Sequence, residues 1–196
     1  MKSIRVINDL HLGSSYEIVG YYAAMEYARQ STPTVWNGDI VDMKNVKKAE
    51  LAGWRARLHA LKWQAIDSGH VWISGNHELD QADADVWAVR DGIFFTHGDL
   101  GFLWSEAKGR AYRRKEPGAG WFKRTFFSPL LEEMRDVWGA KIKQEFLDRV
   151  AQVGVDLPNV KMVICGHSHT RKVQQGFSQG VEYRVLPRGV NTVEYV

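Results

Sequence analysis

The chain has 196 residues, 44% hydrophobic and 25% charged, proportions ordinary for one soluble globular domain that can bury a core of its own. A formal net charge of +3 does not by itself point to nucleic acid, and the single cysteine, Cys165, excludes an internal disulfide. No apolar run is long enough to span a bilayer, and Met1-Lys2-Ser3-Ile4 enters a strand pattern without the apolar stretch of a signal peptide, so a cytoplasmic location is expected.

Ile4-Arg5-Val6-Ile7 predicts a first strand, leading into Asn8-Asp9-Leu10-His11. Tyr16 to Gln30 predicts a helix with Ile18, Tyr22 and Met25 on one face, broken by Pro33. Thr34-Val35-Trp36-Asn37 predicts a second strand ending in Gly38-Asp39. Leu51, Trp54, Leu58, Leu61 and Ala65 recur at three- and four-residue steps, the stripe of an amphipathic helix, and Gly69 is placed to stop it. His70 to Ser74 predicts a third strand, delivering Gly75-Asn76-His77-Glu78. Strand and helix in alternation point to parallel strands with functional residues at their C-terminal tips.

Val86 to Arg90 and Ile93 to Thr96 flank Asp91-Gly92, a hairpin signal, and the second of these runs ends at His97-Gly98-Asp99. Residues from about Leu100 to Leu157 have helical character. They include a basic aromatic stretch from Lys108 to Arg124 and a long helix opened by Ser128-Pro129, with Leu131, Met134, Trp138, Ile142 and Phe146 as its apolar face. Val160 to Cys165 predicts a buried strand ending at Gly166-His167-Ser168-His169. From Lys172 to Val196 a closing antiparallel hairpin is expected, turning near Ser178-Gln179-Gly180. Most of the eight tryptophans sit at core-like positions, and His59 and His70 are expected to be structural.

Five separated strand tips therefore carry Asp, His and Asn. Each alone would pass as an ordinary turn or cap. Together, in the order Asp9-Leu10-His11, Gly38-Asp39-Ile40-Val41-Asp42, Gly75-Asn76-His77-Glu78, His97 and Gly166-His167-Ser168-His169, the set resembles the calcineurin-like metallophosphoesterases. The resemblance runs from the first strand to His169. It implies a four-layer αββα sandwich, one domain over 1–196 with a helical cap insert at about 100–158.

The resemblance also implies two divalent cations. A phosphate ester resists hydrolysis because its negative oxygens repel a nucleophile; a close pair of cations neutralises them and makes hydroxide from water near neutral pH, for in-line attack. By resemblance one metal takes Asp9, His11, Asp39 and His169, and the second takes Asp39, Asn76, His97 and His167, with Asp39 as the bridge. Mixed imidazole and oxygen donors suit Mn, Fe, Zn or Ni better than Mg or Ca, with Mn the leading choice. His77 would protonate the departing oxygen and Asp42 would hold it oriented. Glu78 is expected to be structural. Asp99 is either a support for a metal-bound imidazole or a solvated turn carboxylate.

Met43-Lys44 stands where the related Ser/Thr protein phosphatases carry an Arg-Gly pair, so their bidentate phosphate clamp is missing. Asn8-Asp9-Leu10-His11-Leu12-Gly13 is closer to the phosphodiesterase and pyrophosphatase branches, whereas Gly75-Asn76-His77-Glu78 has the protein-phosphatase form. The insert is similar in placement to the cap of the UDP-2,3-diacylglucosamine pyrophosphatases, which carry Arg where this chain has His77. In it Lys108, Arg110, Arg113, Arg114, Lys115, Lys123 and Arg124 form either a phosphate-facing lid or a solvated face, and Trp104 and Trp121 are its candidates for substrate contact. The expected activity is hydrolysis of a phosphodiester or pyrophosphate bond in a phosphorylated small molecule or nucleotide-type substrate. The alternatives are a phosphomonoesterase, including a protein phosphatase, and a non-catalytic binding module, which would lack ligands that are all present here. A nuclease would need a duplex-binding element, and none is recognised.

Overall fold

A computed structural model describes residues 1–13, 18–78, 87–98, 159–167, 169–178 and 180–196. Two sheets face each other. The first has the order β3-β2-β1-β9, built from Lys2–Asn8 (β1), Thr34–Asn37 (β2), Val71–Ile73 (β3) and Gly189–Tyr195 (β9). The second has the order β4-β5-β6-β8-β7, from Trp87–Arg90 (β4), Ile93–Thr96 (β5), Met162–Cys165 (β6), Gln174–Ser178 (β7) and Val181–Val185 (β8). Helices Ile18–Arg29 (α1) and Leu51–Asp67 (α2) connect β1 to β2 and β2 to β3, and both strand pairs are parallel as predicted.

Residue alternation along the strands feeds separate cores. Ile4, Val6, Val35 and Ile73 point between the sheets, where they meet Ile93, Phe95, Met162 and Ile164. Their neighbours Ile7, Trp36 and Trp72 point the other way, under the helices, with Leu58, Leu61 and Ala65. Trp36 and Trp72 are register partners in β2 and β3 and stack with ring centroids 5.5 Å apart. Strands buried on both faces read as nearly continuous apolar runs, which is why these segments showed little alternation. Phe94, Val163, Cys165 and Val185 form a third cluster on the outer side of the second sheet. The result is an α/β sandwich in which the helix, sheet and sheet layers are described. The predicted cap at about 100–158, with Trp104, Trp121 and the basic residues Lys108 to Arg124, and also Asp99, lies outside the described residues.

The Asp91-Gly92 turn behaves as its composition requires. Both residues have positive φ, 52° and 77°, and Arg90 pairs with Ile93 across them. The predicted closing hairpin is present as β7 and β8. Two features differ from expectation. First, residues 189–195 do not extend that hairpin; β9 crosses to the other sheet and runs antiparallel to β1 along its whole length, from Lys2↔Tyr195 to Asn8↔Gly189. Second, the buried face of α1 is Ala24 and Ala28, flanked by partly buried Tyr21, Met25 and Tyr27, while Ile18 and Tyr22 are exposed. Small side chains let α1 lie close to its neighbours, and Ile18, Val19 and Tyr22 are left outside. Among the described tryptophans, Trp36, Trp54 and Trp72 are buried, but Trp63 and Trp87 are exposed. His59 is exposed and His70 is buried. No helix among the described residues is long and apolar enough to cross a membrane.

The small-residue face of α1 is testable. Ala28→Leu adds volume at a fully buried position and should lower stability by about 1–3 kcal/mol, whereas Tyr22→Ala should change it by less than about 0.5 kcal/mol. Urea denaturation midpoints at constant m-value decide between this face and the one inferred from Ile18 and Tyr22.

Candidate active site

All five motifs meet at the C-terminal edge of β1, β2, β3, β5 and β6. The ladder between β1 and β2 does not end with the strands. Asp9 N–H donates to the Gly38 carbonyl (3.0 Å), His11 N–H to Asp39 (2.9 Å), Leu12 N–H to Ile40 (2.9 Å) and Asp42 N–H back to Leu12 (2.9 Å). The first two motifs are thus zipped to each other. Gly166 N–H donates to the His97 carbonyl (3.1 Å) and ties the other two strand tips together.

This zipping holds an unusual backbone. Asp9, His11, Asp39, His167 and His169 all have positive φ, between 48° and 64°. A side chain in this region costs about 1–2 kcal/mol per residue, with Asp and Asn the least penalised non-glycine residues. Gly75 and Gly166 are required by close approach. A Cβ on Gly75 would fall on the Asp39 carboxylate and backbone nitrogen, and one on Gly166 would fall on Asp9 Oδ2.

The side chains gather into two donor groups. In one, Asp9, His11 and His169 bring ligand atoms within 4.8 Å of one another; in the other, Asp39, His97 and His167 do the same. His11 Nε2 lies 2.9 Å from His169 Nε2, and His167 Nδ1 lies 3.1 Å from His97 Nε2. Asp39 Oδ2 sits between the groups, 3.2 Å from His97 Nε2 and 3.8 Å from His11 Nε2. Asn76 Oδ1 is 3.3 Å from His97 Nε2. The Asn37 carbonyl faces His97 Nδ1 at 3.1 Å and can only accept, so Nδ1 carries the proton and Nε2 turns a lone pair to the cluster. Paired imidazole nitrogens facing each other beside buried carboxylates fit a cation in each group. Every residue expected to bind metal is among those brought together.

Burial alone would raise the carboxyl groups, but the imidazoles outweigh it. His97 and His169 hold Asp9 at about 2. His97, His77 and His11 hold Asp39 well below the usual carboxylate range. Burial pushes His11 down against the pull of Asp42 and Asp39, which favours the neutral ring, the form that can offer a lone pair to a cation.

A third group joins His11, Asp42 and His77. His77 Nδ1 donates to Asp42 Oδ1 at 2.6 Å, leaving Nε2 to face Asp39 Oδ2 at 3.9 Å. The other Asp42 oxygen is 3.4 Å from His11 Nδ1, and Asn45 Nδ2 donates to both oxygens at 2.8 and 2.9 Å. Imidazoles oppose the burial penalty of Asp42 and hold it low. His77 and His169 reach the surface, with side chains 19% and 20% exposed, whereas His11 and His97 do not.

Glu78 is fully buried and ties two motifs. Its Oε1 accepts from Ile40 N–H (2.8 Å) and more weakly from Val41 N–H (3.4 Å), and its Oε2 accepts from Gly75 N–H (2.8 Å). Burial and the nearby Asp39 charge raise it to about 7, against those N–H donors. Sequence reasoning missed Asn8 and Asn191. Asn8 Nδ2 donates to Asp9 Oδ2 (2.7 Å), and Asn191 Nδ2 donates to Asn8 Oδ1 (3.2 Å). The position of Asn8 beside Asp9 was the one local signal available.

The chain matches the calcineurin-like phosphoesterase family over residues 2–171. It belongs to that family. Both the family and the donor groups support a dinuclear divalent metal centre and a phosphoesterase. No curated protein sequence matches the chain. Three solved structures are similar to it at low identity. A conserved uncharacterised protein, a predicted phosphoesterase, from Streptococcus pneumoniae is 16% identical, with 98% of this chain and 83% of that one covered and a TM-score of 0.43. A single mutant of Vps29 from Entamoeba histolytica is 13% identical, with 95% and 74% covered and a TM-score of 0.42. A dimetal phosphatase from Danio rerio is 12% identical, with 97% and 91% covered and a TM-score of 0.47.

Glu78→Ala would orphan the Ile40 and Gly75 N–H groups in a dry site. A loss of about 2–4 kcal/mol in unfolding free energy is expected, with Glu78→Gln intermediate because one acceptor oxygen remains. Thermal denaturation of metal-stripped protein checks this apart from any effect on bound ions.

Proposed function

We propose that this phosphoesterase hydrolyses a phosphodiester or pyrophosphate bond, as one domain over residues 1–196 with a helical cap at about 100–158 joining His97 to His167. The observation that carries the reading is the placing of Asp39 Oδ2 between two imidazole-carboxylate groups, with a separate His-Asp pair opening to the surface beside them. In this reading Asp9, His11, Asp39 and His169 hold one cation and Asp39, Asn76, His97 and His167 hold the other. Mn leads among the ions these donors suit, followed by Fe, Zn or Ni. When bound, such a pair neutralises phosphoryl oxygens and supplies a nucleophile from water near neutral pH.

The chain's own residues orient and move a proton. Asp42 fixes the His77 ring through Nδ1, so that Nε2 is the atom able to hand a proton to the departing oxygen. The same carboxylate steadies His11, which couples the acid to the first donor group. Bond preference rests on position 43. Met43 is 1% exposed and packed into the helix-side core, so position 43 offers no guanidinium to a phosphoryl group. A diester monoanion needs less positive charge than a monoester dianion, which supports the diester or pyrophosphate reading. The Gly75-Asn76-His77-Glu78 form favours a phosphomonoesterase as the second reading. Aryl mono- and diesters assayed side by side with each metal separate the two, and a clear monoester preference overturns the first. A phosphorylated small molecule or nucleotide is the expected substrate class.

Asp39→Asn keeps size but removes the charge shared by both groups. It should lose at least one metal and nearly all turnover, and elemental analysis showing two ions with full activity would contradict the assignment. His77→Ala should retain both ions. It should cost about 10²–10⁴-fold with an alkyl leaving group and little with nitrophenolate, which departs without a proton. Equal slowing of both substrates, or an emptied metal site, would remove the general-acid role.

A further inference from the structure

The β8–β9 connection lies beyond the family match, yet it borders the site. Its Pro187 carbonyl accepts from Asn8 Nδ2 (3.2 Å) and from Asn191 Nδ2 (3.0 Å), and Asn8 in turn holds Asp9 Oδ2. The next residue, Arg188, sends its guanidinium to the Asp9–His11 loop. Its Nη2 donates to the carbonyl of Leu10, the residue between the two donors, at 2.6 Å. Leu10 C=O and His11 N–H belong to one trans peptide and point opposite ways, and the N–H is already bonded to Asp39. Arg188 therefore flanks this loop on the side away from β2.

The guanidinium is exposed, and among the described residues Leu10 is its one hydrogen-bond partner. Held at both ends, by its backbone turn and by one N–H, Arg188 keeps the rest of its donor fork open among the described residues. That fork matches two oxygens of a phosphoryl group, and little side-chain freedom remains to be lost on binding. We propose that Arg188 is an anion-binding residue of this site, gripping non-bridging phosphoryl oxygens of the substrate from outside the metal centre. This rests on the phosphoesterase reading above and adds a contact that none of the five motifs contains. It places on the far side of the Asp9–His11 loop the guanidinium that Met43 does not supply.

Calorimetric titration of metal-loaded protein with inorganic phosphate tests the proposal without turnover. Arg188→Ala should bind phosphate about tenfold more weakly than wild type, with Arg188→Lys between them, and metal content should be unchanged in both. The Michaelis constant for a small aryl diester should rise in the same order. If Arg188 only braces the Leu10 carbonyl, Arg188→Ala will lower metal retention or melting temperature while fully loaded protein binds phosphate as wild type does, and the proposal fails. Should wild-type loaded protein neither cleave an ester nor take up phosphate, the phosphoesterase reading fails, and the Arg188 role goes with it. A wild type that cleaves esters beside an Arg188→Ala variant with unaltered phosphate affinity removes the Arg188 role alone.

Discussion

The placement of one carboxylate governs the rest of the site. Asp39 is almost fully buried at a strand tip, and Oδ1 accepts the His77 N–H at 2.7 Å while Oδ2 faces His97, His11 and His77. Burying such a charge costs several kcal/mol unless opposite charge and hydrogen bonds surround it. The surroundings follow from that need. Gly75 has no Cβ because Asp39 fills the space, His97 is fixed by Asn37 so that its lone pair turns inward, and Glu78 pins the loops that carry both Asp39 and His77.

The second constraint is conformational. The backbone leaves the strand path at Asp9, His11, Asp39, His167 and His169, all of which are left-handed, and it is in this conformation that their side chains gather into the donor groups. The free energy stored there is offset by the backbone ladder that outlasts β1 and β2, and by contacts from the distant strand β9. Stability and ligand geometry are in this sense one problem, since loosening the loops would relieve strain and disperse the donors together.

How much of this could be read from the residues depended on distance along the chain. The stripe of α2, the Asp91-Gly92 turn and the parallel β1-β2-β3 order are local or nearly local, and all were legible. The face of α1 was not, because Ala24 and Ala28 carry a weak hydrophobic signal and Ile18 and Tyr22 a strong but misleading one. Motif spacing brought the donors to strand tips, but it did not reveal their left-handed backbone, the approach of Asp42 to His11 as well as to His77, or the reach of Glu78 to Ile40. Asn191, Arg188 and the pairing of β9 with β1 depend on contacts across most of the sequence and leave no mark in local composition.

That last pairing has a consequence for how the molecule is made. On a ribosome, β1, α1 and β2 emerge close together and can associate at once, whereas the partner for the other edge of β1 follows much later, with Asn191 183 residues after Asn8. Until then a seven-residue strand presents an open row of backbone donors and acceptors, the kind of surface on which nascent chains aggregate. Its outermost side chains, Lys2 and Ser3, are exposed and polar, which tempers that hazard at one end only. Arrival of β9 closes the edge and, in the same step, brings Asn191 to Asn8 beside Asp9, so edge closure and support of the Asp9 loop come together.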